Sequence, residues 1–230
     1  MKGKYASVLI SAVFFVFLAT AGVGHAANVL TITGPAPFGF ANQIVMVEAW
    51  SQSATYTNVS ITLPLEDNSV GGPIGGVEGT VYLMNQIGPG TTSANEVVPP
   101  VSVSGLTNAF TLRTLFSGLT LPPGNYYVVL ASTNSSPLSM SPEGSSTASV
   151  TPGTGVTELG TGVQSFSPAP YPPASDLLPL SAPGNVFITV TGDLVATGAV
   201  AVPALDAIGL AVLMLCLAGA AIYAIRRRRA

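Results

Sequence analysis

The chain has 230 residues, of which 48% are apolar and only 7% are charged, against roughly 25% charged in an average soluble protein. That length holds one ordinary domain with short targeting segments and excludes a second enzyme-sized domain. Six of the seven basic residues lie at the two ends, leaving nine acids from Glu48 to Asp193 against Arg113 alone, a net charge of −8 between the ends. This excludes a nucleic-acid partner, because phosphate binding needs clustered Lys and Arg.

Residues 1–26 have the three-part form of a secretory signal peptide: Lys2 and Lys4, an apolar run over 8–18, and then the small residues Gly22, Gly24, Ala26 and Ala27. Small residues let the chain lie extended in the peptidase. Gly24 and Ala26 place cleavage after Ala26, with Ala27 as the alternative. A permanent N-terminal membrane helix fits less well, since the apolar run falls short of the roughly 20 residues that span a bilayer. His25, the only histidine, leaves with this segment.

Residues 27–197 read as the ectodomain. Gly, Pro, Ser and Thr punctuate short β-branched runs, which predicts an all-β fold: an antiparallel β-sandwich, Ig-like or jelly-roll-like. Strands are expected at 28–33, 44–51, 58–63, 79–84, 97–102, 110–115, 125–132 and 185–191. The clearest alternation puts Val59, Ile61 and Leu63 on one face and Asn58, Ser60 and Thr62 on the other. Pro122, Pro123 and Gly124 predict a tight turn with glycine at positive φ, followed by Tyr126, Val128 and Leu130 on one face and Tyr127 and Val129 on the other. Over 135–180 strand patterning gives way to Pro, Ser and Gly, with one short strand near Val163. This stretch is expected to be an insertion within one domain, the alternative being a stalk that ends the domain near Thr133.

After a linker at 198–206, residues 207–225 form an uncharged run of about 19 residues, long enough as a helix to approach the bilayer's hydrocarbon thickness. A single C-terminal transmembrane helix is expected. Asp206 precedes it, and Arg226, Arg227, Arg228 and Arg229 follow in a basic tail at 226–230, which places the C-terminus in the cytoplasm and the domain outside. Cys216, the only cysteine, lies within this run, so the ectodomain has no internal disulfide.

The order Val202-Pro203-Ala204-Leu205, Gly209, apolar helix and arginine cluster resembles the C-terminal sorting signals of the PEP-CTERM and IPTL-CTERM type. Ala204 stands where those motifs carry Glu or Thr. The stretch Leu121-x-x-Gly124-x-Tyr126-Tyr127 resembles a turn and strand of β-sandwich ectodomains in PEP-CTERM-type proteins. The resemblance implies an exosortase-like protease as partner, a temporary membrane anchor, and release to the cell surface or extracellular matrix. A permanent tail anchor without processing is the other reading.

The predicted ectodomain contains no His, Cys or Lys, the side chains most often tuned for nucleophilic or general-base work, so no catalytic, metal or cofactor site is expected. Glu48, Glu66, Asp67, Glu78 and Glu96 are carboxylates of the type used in glycoside hydrolysis, but nothing in their spacing pairs them. Calcium takes oxygen ligands and Glu66-Asp67-Asn68 offers three, without EF-hand spacing. Trp50, Tyr56, Tyr126, Tyr127 and Tyr171 could stack on sugar rings if several shared one exposed face, Trp50 and Tyr127 being the candidate glycan contacts. Core or cross-strand packing explains most of them better. The function expected is therefore that of a non-enzymatic exported surface or matrix protein with a structural or adhesive role. A carbohydrate-binding module that attaches the cell to extracellular polysaccharide is the alternative, and an exported hydrolase using paired carboxylates comes last.

Overall fold

Alternation becomes strand where one face of the backbone can be buried, most clearly over Ala27–Thr33 and Tyr56–Glu66, and the described residues form thirteen strands in all. In chain order they are β1 Ala27–Thr33, β2 Phe38–Gly39, β3 Val45–Gln52, β4 Tyr56–Glu66, β5 Val77–Met84, β6 Glu96–Ser104, β7 Thr111–Leu121, β8 Gly124–Ser132, β9 Ser141–Ser145, β10 Ser149–Pro152, β11 Val156–Gln164, β12 Asn185–Val186 and β13 Ile188–Leu194. The computed structural model describes residues 27–35, 38–39, 44–67, 76–133, 140–164, 168–182, 184–195 and 215. Met1–Val195 and Ala196–Ala230 separate as two units.

All strand pairings are antiparallel. One sheet has five strands in the order β11-β3-β8-β5-β6; the other has eight, in the order β10-β1-β13-β4-β9-β12, with β2 beside β9 and β7 beside β4. The first and last described strands, β1 and β13, pair with each other, with Ile32 opposite Ile188, so residues 27–33 and 188–194 lie side by side in the same sheet. The turn at Pro122 and Pro123 carries the chain from β7 in one sheet to β8 in the other. It is an arch between sheets, closed by the Tyr126 hydroxyl donating to Pro122 O at 2.6 Å. Contrary to expectation, Gly124 is not among the glycines at positive φ.

The expected alternation of β4 is present: Val59, Ile61 and Leu63 are fully buried and join Trp50, Val81, Leu83, Val128 and Leu130 of the five-stranded sheet in one apolar cluster. Burying each such side chain contributes roughly 1.5–3 kcal/mol, which holds the sheets together without a disulfide. A second cluster lies on the opposite face of the five-stranded sheet, where Val45, Val47, Met84, Val129 and Ala131 meet Leu177, with Tyr82, Tyr127, Tyr171 and Leu180 packed around them. Because both of its faces are covered, β3 reads as a nearly continuous apolar run.

Residues 168–182, from the expected insertion, contribute to the cover of that second face. Gly88 N donates to Pro173 O and Ala182 N to Thr161 O, both at 2.9 Å. A Cβ on Gly162 would lie 2.2 Å from Leu177 O, so only glycine permits this approach. The insertion also differs from expectation in its strands, since β9, β10 and β11 all fall within 135–180. The sequence Val-Thr-Glu-Leu-Gly-Thr-Gly-Val-Gln of β11 pairs along β3 from Val156↔Gln52 to Gln164↔Val45, with a bulge between Glu158 and Gly160. Backbone ladders recruit these small polar residues, which strand propensity alone disfavours.

The predicted signal peptide with Gly24 and Ala26 lies outside the described residues, as does the sorting motif Val202, Pro203, Ala204, Leu205 and Gly209 with Arg226, Arg227, Arg228 and Arg229. The predicted membrane span also lies outside them except for Leu215, which is helical and exposed. Among the described residues no helix is long and apolar enough to cross a membrane.

Candidate functional site

Trp50 is 0% exposed. It projects from β3 between the sheets, stacks on Tyr126 with ring centroids 5.6 Å apart, and donates from Nε1 to Gln52 Oε1 at 3.2 Å. Its expected role as a glycan contact is therefore corrected to core packing, because no ring face reaches the surface. Tyr127, on the other face of β8, is half-buried in the second apolar cluster. There Tyr82 and Tyr171 meet edge to face at 5.7 Å, and the Tyr171 hydroxyl donates to Glu96 Oε1 at 2.7 Å. Burial first, and then this bond and the Glu96 charge, push the Tyr171 phenol far above the usual range. Tyr82 and Tyr127 thus share a cluster with Tyr171 and Leu177 of residues 168–182.

The five carboxylates singled out in the sequence are dispersed. Glu48 is wholly buried in the core. Glu78 is buried, and its Oε2 accepts from Leu106 N at 2.9 Å. Asp67 is buried, with its backbone N–H donating to Thr107 O, while Asn68 is outside the described residues. Glu96 holds Tyr171. Glu66 lies near an acid that sequence spacing could not associate with it, Glu143 of β9. Burial raises the Glu66 carboxyl, and the charges of Glu143 and Asp67 raise it further. Among the described residues no three His, Cys, Asp or Glu side chains are grouped so as to hold a metal ion.

A cleft forms elsewhere on the eight-stranded sheet. Leu63 and Leu65 point into the core, so Pro64 between them points away from it. Its register partner Leu112 on β7 does the same, as does Thr189 between the core residues Ile188 and Val190. Together with Ile32, Thr33, Phe110, Glu143, Phe187 and Ile188, these residues line a cleft of about 290 Å³. Leu112 is 75% exposed, and Glu143 stands at the polar side with its carboxyl raised by desolvation. Phe187 is fixed from behind: its N–H donates to Glu143 O at 2.8 Å, and its ring lies 3.0 Å from where a Cβ on Gly34 would sit.

The cleft thus has an apolar floor, two phenyl rings, two threonines and one carboxyl group, and no cation among its lining residues. Sequence reading missed every one of these positions as a site. They come from β1, β4, β7, β9, β13 and two connecting segments, so no local spacing associates them. The one local signal is Leu112, an apolar residue on the polar phase of an edge strand.

No protein-family profile matches the chain, and no curated protein matches it. Among solved structures, the chain is similar to one described as "Xyl-CBM35 in complex with glucuronic acid containing disaccharide", at 18% identity and a TM-score of 0.33, over 59% of this chain and 86% of that one.

Proposed function

We propose that this chain is a non-enzymatic, exported carbohydrate-binding protein that attaches the cell surface to extracellular polysaccharide through the cleft between Phe110, Leu112, Glu143 and Phe187. The observation that carries the reading is the chemistry of that cleft. A pyranose ring offers an apolar C–H face and a rim of hydroxyl groups. The first suits the apolar lining of Phe110, Pro64 and Leu112, with the largely buried Phe187, Ile32 and Ile188 behind it; the second suits the Glu143 carboxyl and the hydroxyls of Thr33 and Thr189. The lack of a lining cation and the acidic neighbours Glu66 and Glu143 favour a neutral sugar over an acidic one.

Hydrolysis is the weaker reading. It needs two carboxyl groups flanking the scissile bond, and Glu143 lines the cleft whereas Glu66 does not. The expected structural or adhesive role is kept as the setting in which binding is useful.

A glycan array of neutral oligosaccharides, probed with the full chain, tests the binding. Glu143→Gln is expected to weaken capture about tenfold or more, the scale of a lost charge-assisted hydrogen bond. Leu112→Ser, at an exposed position, should weaken it with little change in stability. Absence of capture of any glycan by the unaltered chain would sink the proposal.

The setting is export by the signal peptide, temporary anchoring through 207–225, and cleavage near Val202 to Leu205 by an exosortase-like protease. Its support is the order of motif, apolar run and arginine cluster in the sequence. Mass spectrometry of surface-extracted protein is expected to find a C-terminus upstream of Arg226. Recovery of an intact arginine run contradicts the processing step.

A further inference from the structure

Strand β12 has only two residues, paired with β9 as Asn185↔Ser145 and Val186↔Gly144. Two acids of the opposite, five-stranded sheet also hold it. Asn185 Nδ2 donates to Glu158 Oε1 at 3.0 Å, and Val186 N donates to Glu48 Oε2 at 3.1 Å. The next residue is Phe187, a largely buried residue that lines the cleft. Glu48 projects from β3 into the core, is 0% exposed, and has Val128 of β8 and Thr161 of β11 as register partners. Its Oε2 also accepts from Thr161 Oγ1, while its Oε1 is buried with no hydrogen-bond partner among the described residues.

We propose that Glu48 is the positioning residue of the cleft: its carboxyl ties Val186 to the five-stranded sheet and so holds the adjoining Phe187 in place in the cleft lining. The role in binding rests on the proposed function; the tether does not. A buried carboxylate needs a cation or several donors to stay ionised. The one base among the described residues, Arg113, is engaged with Gly105 O at 2.7 Å, and the charge that acts on Glu48 is that of another acid, Glu158. Burial therefore pushes the Glu48 carboxyl up to about 8, with Glu158 adding to the shift. The hydrogen bonds from Thr161 and Val186, and the neighbouring Ala49 backbone N–H, favour the anion, but burial is the larger effect. At neutral pH the tether is an uncharged acid. In mildly alkaline solution the buried charge is relieved by admitting water, and the segment that yields is the two-residue strand.

Amide hydrogen exchange of the full chain between pH 6 and 10, corrected for intrinsic exchange rates, tests the tether without any ligand. Protection of Val186 and Phe187 is expected to fall at least tenfold across this range while that of Val47, in the middle of β3, holds. In Glu48→Gln, whose amide oxygen still accepts from Val186 N but does not ionise, protection should be independent of pH. Constant protection in the unaltered chain, an equal loss at Val47, or the same loss in Glu48→Gln overturns the proposal. Repeating the measurement with cellohexaose and mannohexaose adds the binding arm. If neither oligosaccharide binds at any pH while the exchange result stands, the tether is supported and the glycan reading of the cleft fails.

Discussion

Glu48→Gln is expected to remove most of the dependence of stability on pH between about 5 and 8. The folded protein holds the Glu48 proton up to a pH of about 8, against 4.5 for an ordinary glutamate carboxyl. Between those values the folded state binds a proton that the unfolded state has released. Unfolding free energy therefore falls as pH rises, by roughly 1.4 kcal/mol per pH unit for one fully coupled group, and levels off above 8. Stability associated with this group is greatest in acid, the reverse of a salt-bridged carboxylate. The glutamine variant should be nearly flat, keeping the shallower slope of Glu66 and Glu143, whose carboxyls are raised in the same direction. Glu48→Leu should share the flat profile but lose an acceptor for Val186 N and Thr161 Oγ1, at a cost of about 1–3 kcal/mol for a buried donor left unmade. Urea unfolding at pH 5, 7 and 9 measures all three, and a slope in Glu48→Gln equal to that of the unaltered chain contradicts the assignment.

Trp50→Ala is expected to lower stability by about 3–5 kcal/mol, the range for deleting a fully buried large aromatic side chain. For a domain of this size that corresponds to a fall in Tm of roughly 10 °C or more. The loss has two parts. The cavity would lie beside Tyr126, which loses its stacked partner, and Gln52 would lose the indole donor while its Nε2 remains bonded to Leu121 O at 2.8 Å. Those Gln52 bonds help fix the arch between β7 and β8, so the effect should spread to both sheets. Thermal unfolding followed by near-UV circular dichroism reads this directly. A Trp50→Ala chain as stable as the parent would contradict the placement of Trp50 in the core. Loss of glycan capture by this variant would reflect unfolding rather than a lost contact, and Trp50→Phe should retain capture.

Where burial is one-sided, the sequence pattern already carried the fold. The phase of Val59, Ile61 and Leu63 and that of Tyr126, Val128 and Leu130 both match the inter-sheet core. The pattern does not decide between a core and a glycan-facing Trp50, because β3 is covered on both faces. Val45, Val47 and Ala49 are as buried as Met46 and Trp50, so alternation does not separate an exposed side there. The continuous apolar run was itself the sign of a doubly covered strand.

Strands β9 to β11 were unreadable for a different reason. Their Ser, Gly, Pro and Thr residues gain little from side-chain burial and are held by neighbouring ladders, which exist only after the fold has formed. The cleft suffered the same obscurity. Glu143 lies in Ser-Pro-Glu-Gly-Ser, a string that looks like polar coil, and only its pairing beside Leu65 and Glu66 carries it to Phe187.

The most direct test of the glycan reading is a crystal structure of the chain with the neutral oligosaccharide it captures best. The expected result is a sugar ring against Phe110 and Phe187 with a hydroxyl pair on the Glu143 carboxyl. A ligand seated instead on Tyr82, Tyr127 and Tyr171, or a cleft that stays free of sugar at saturating ligand, would contradict it.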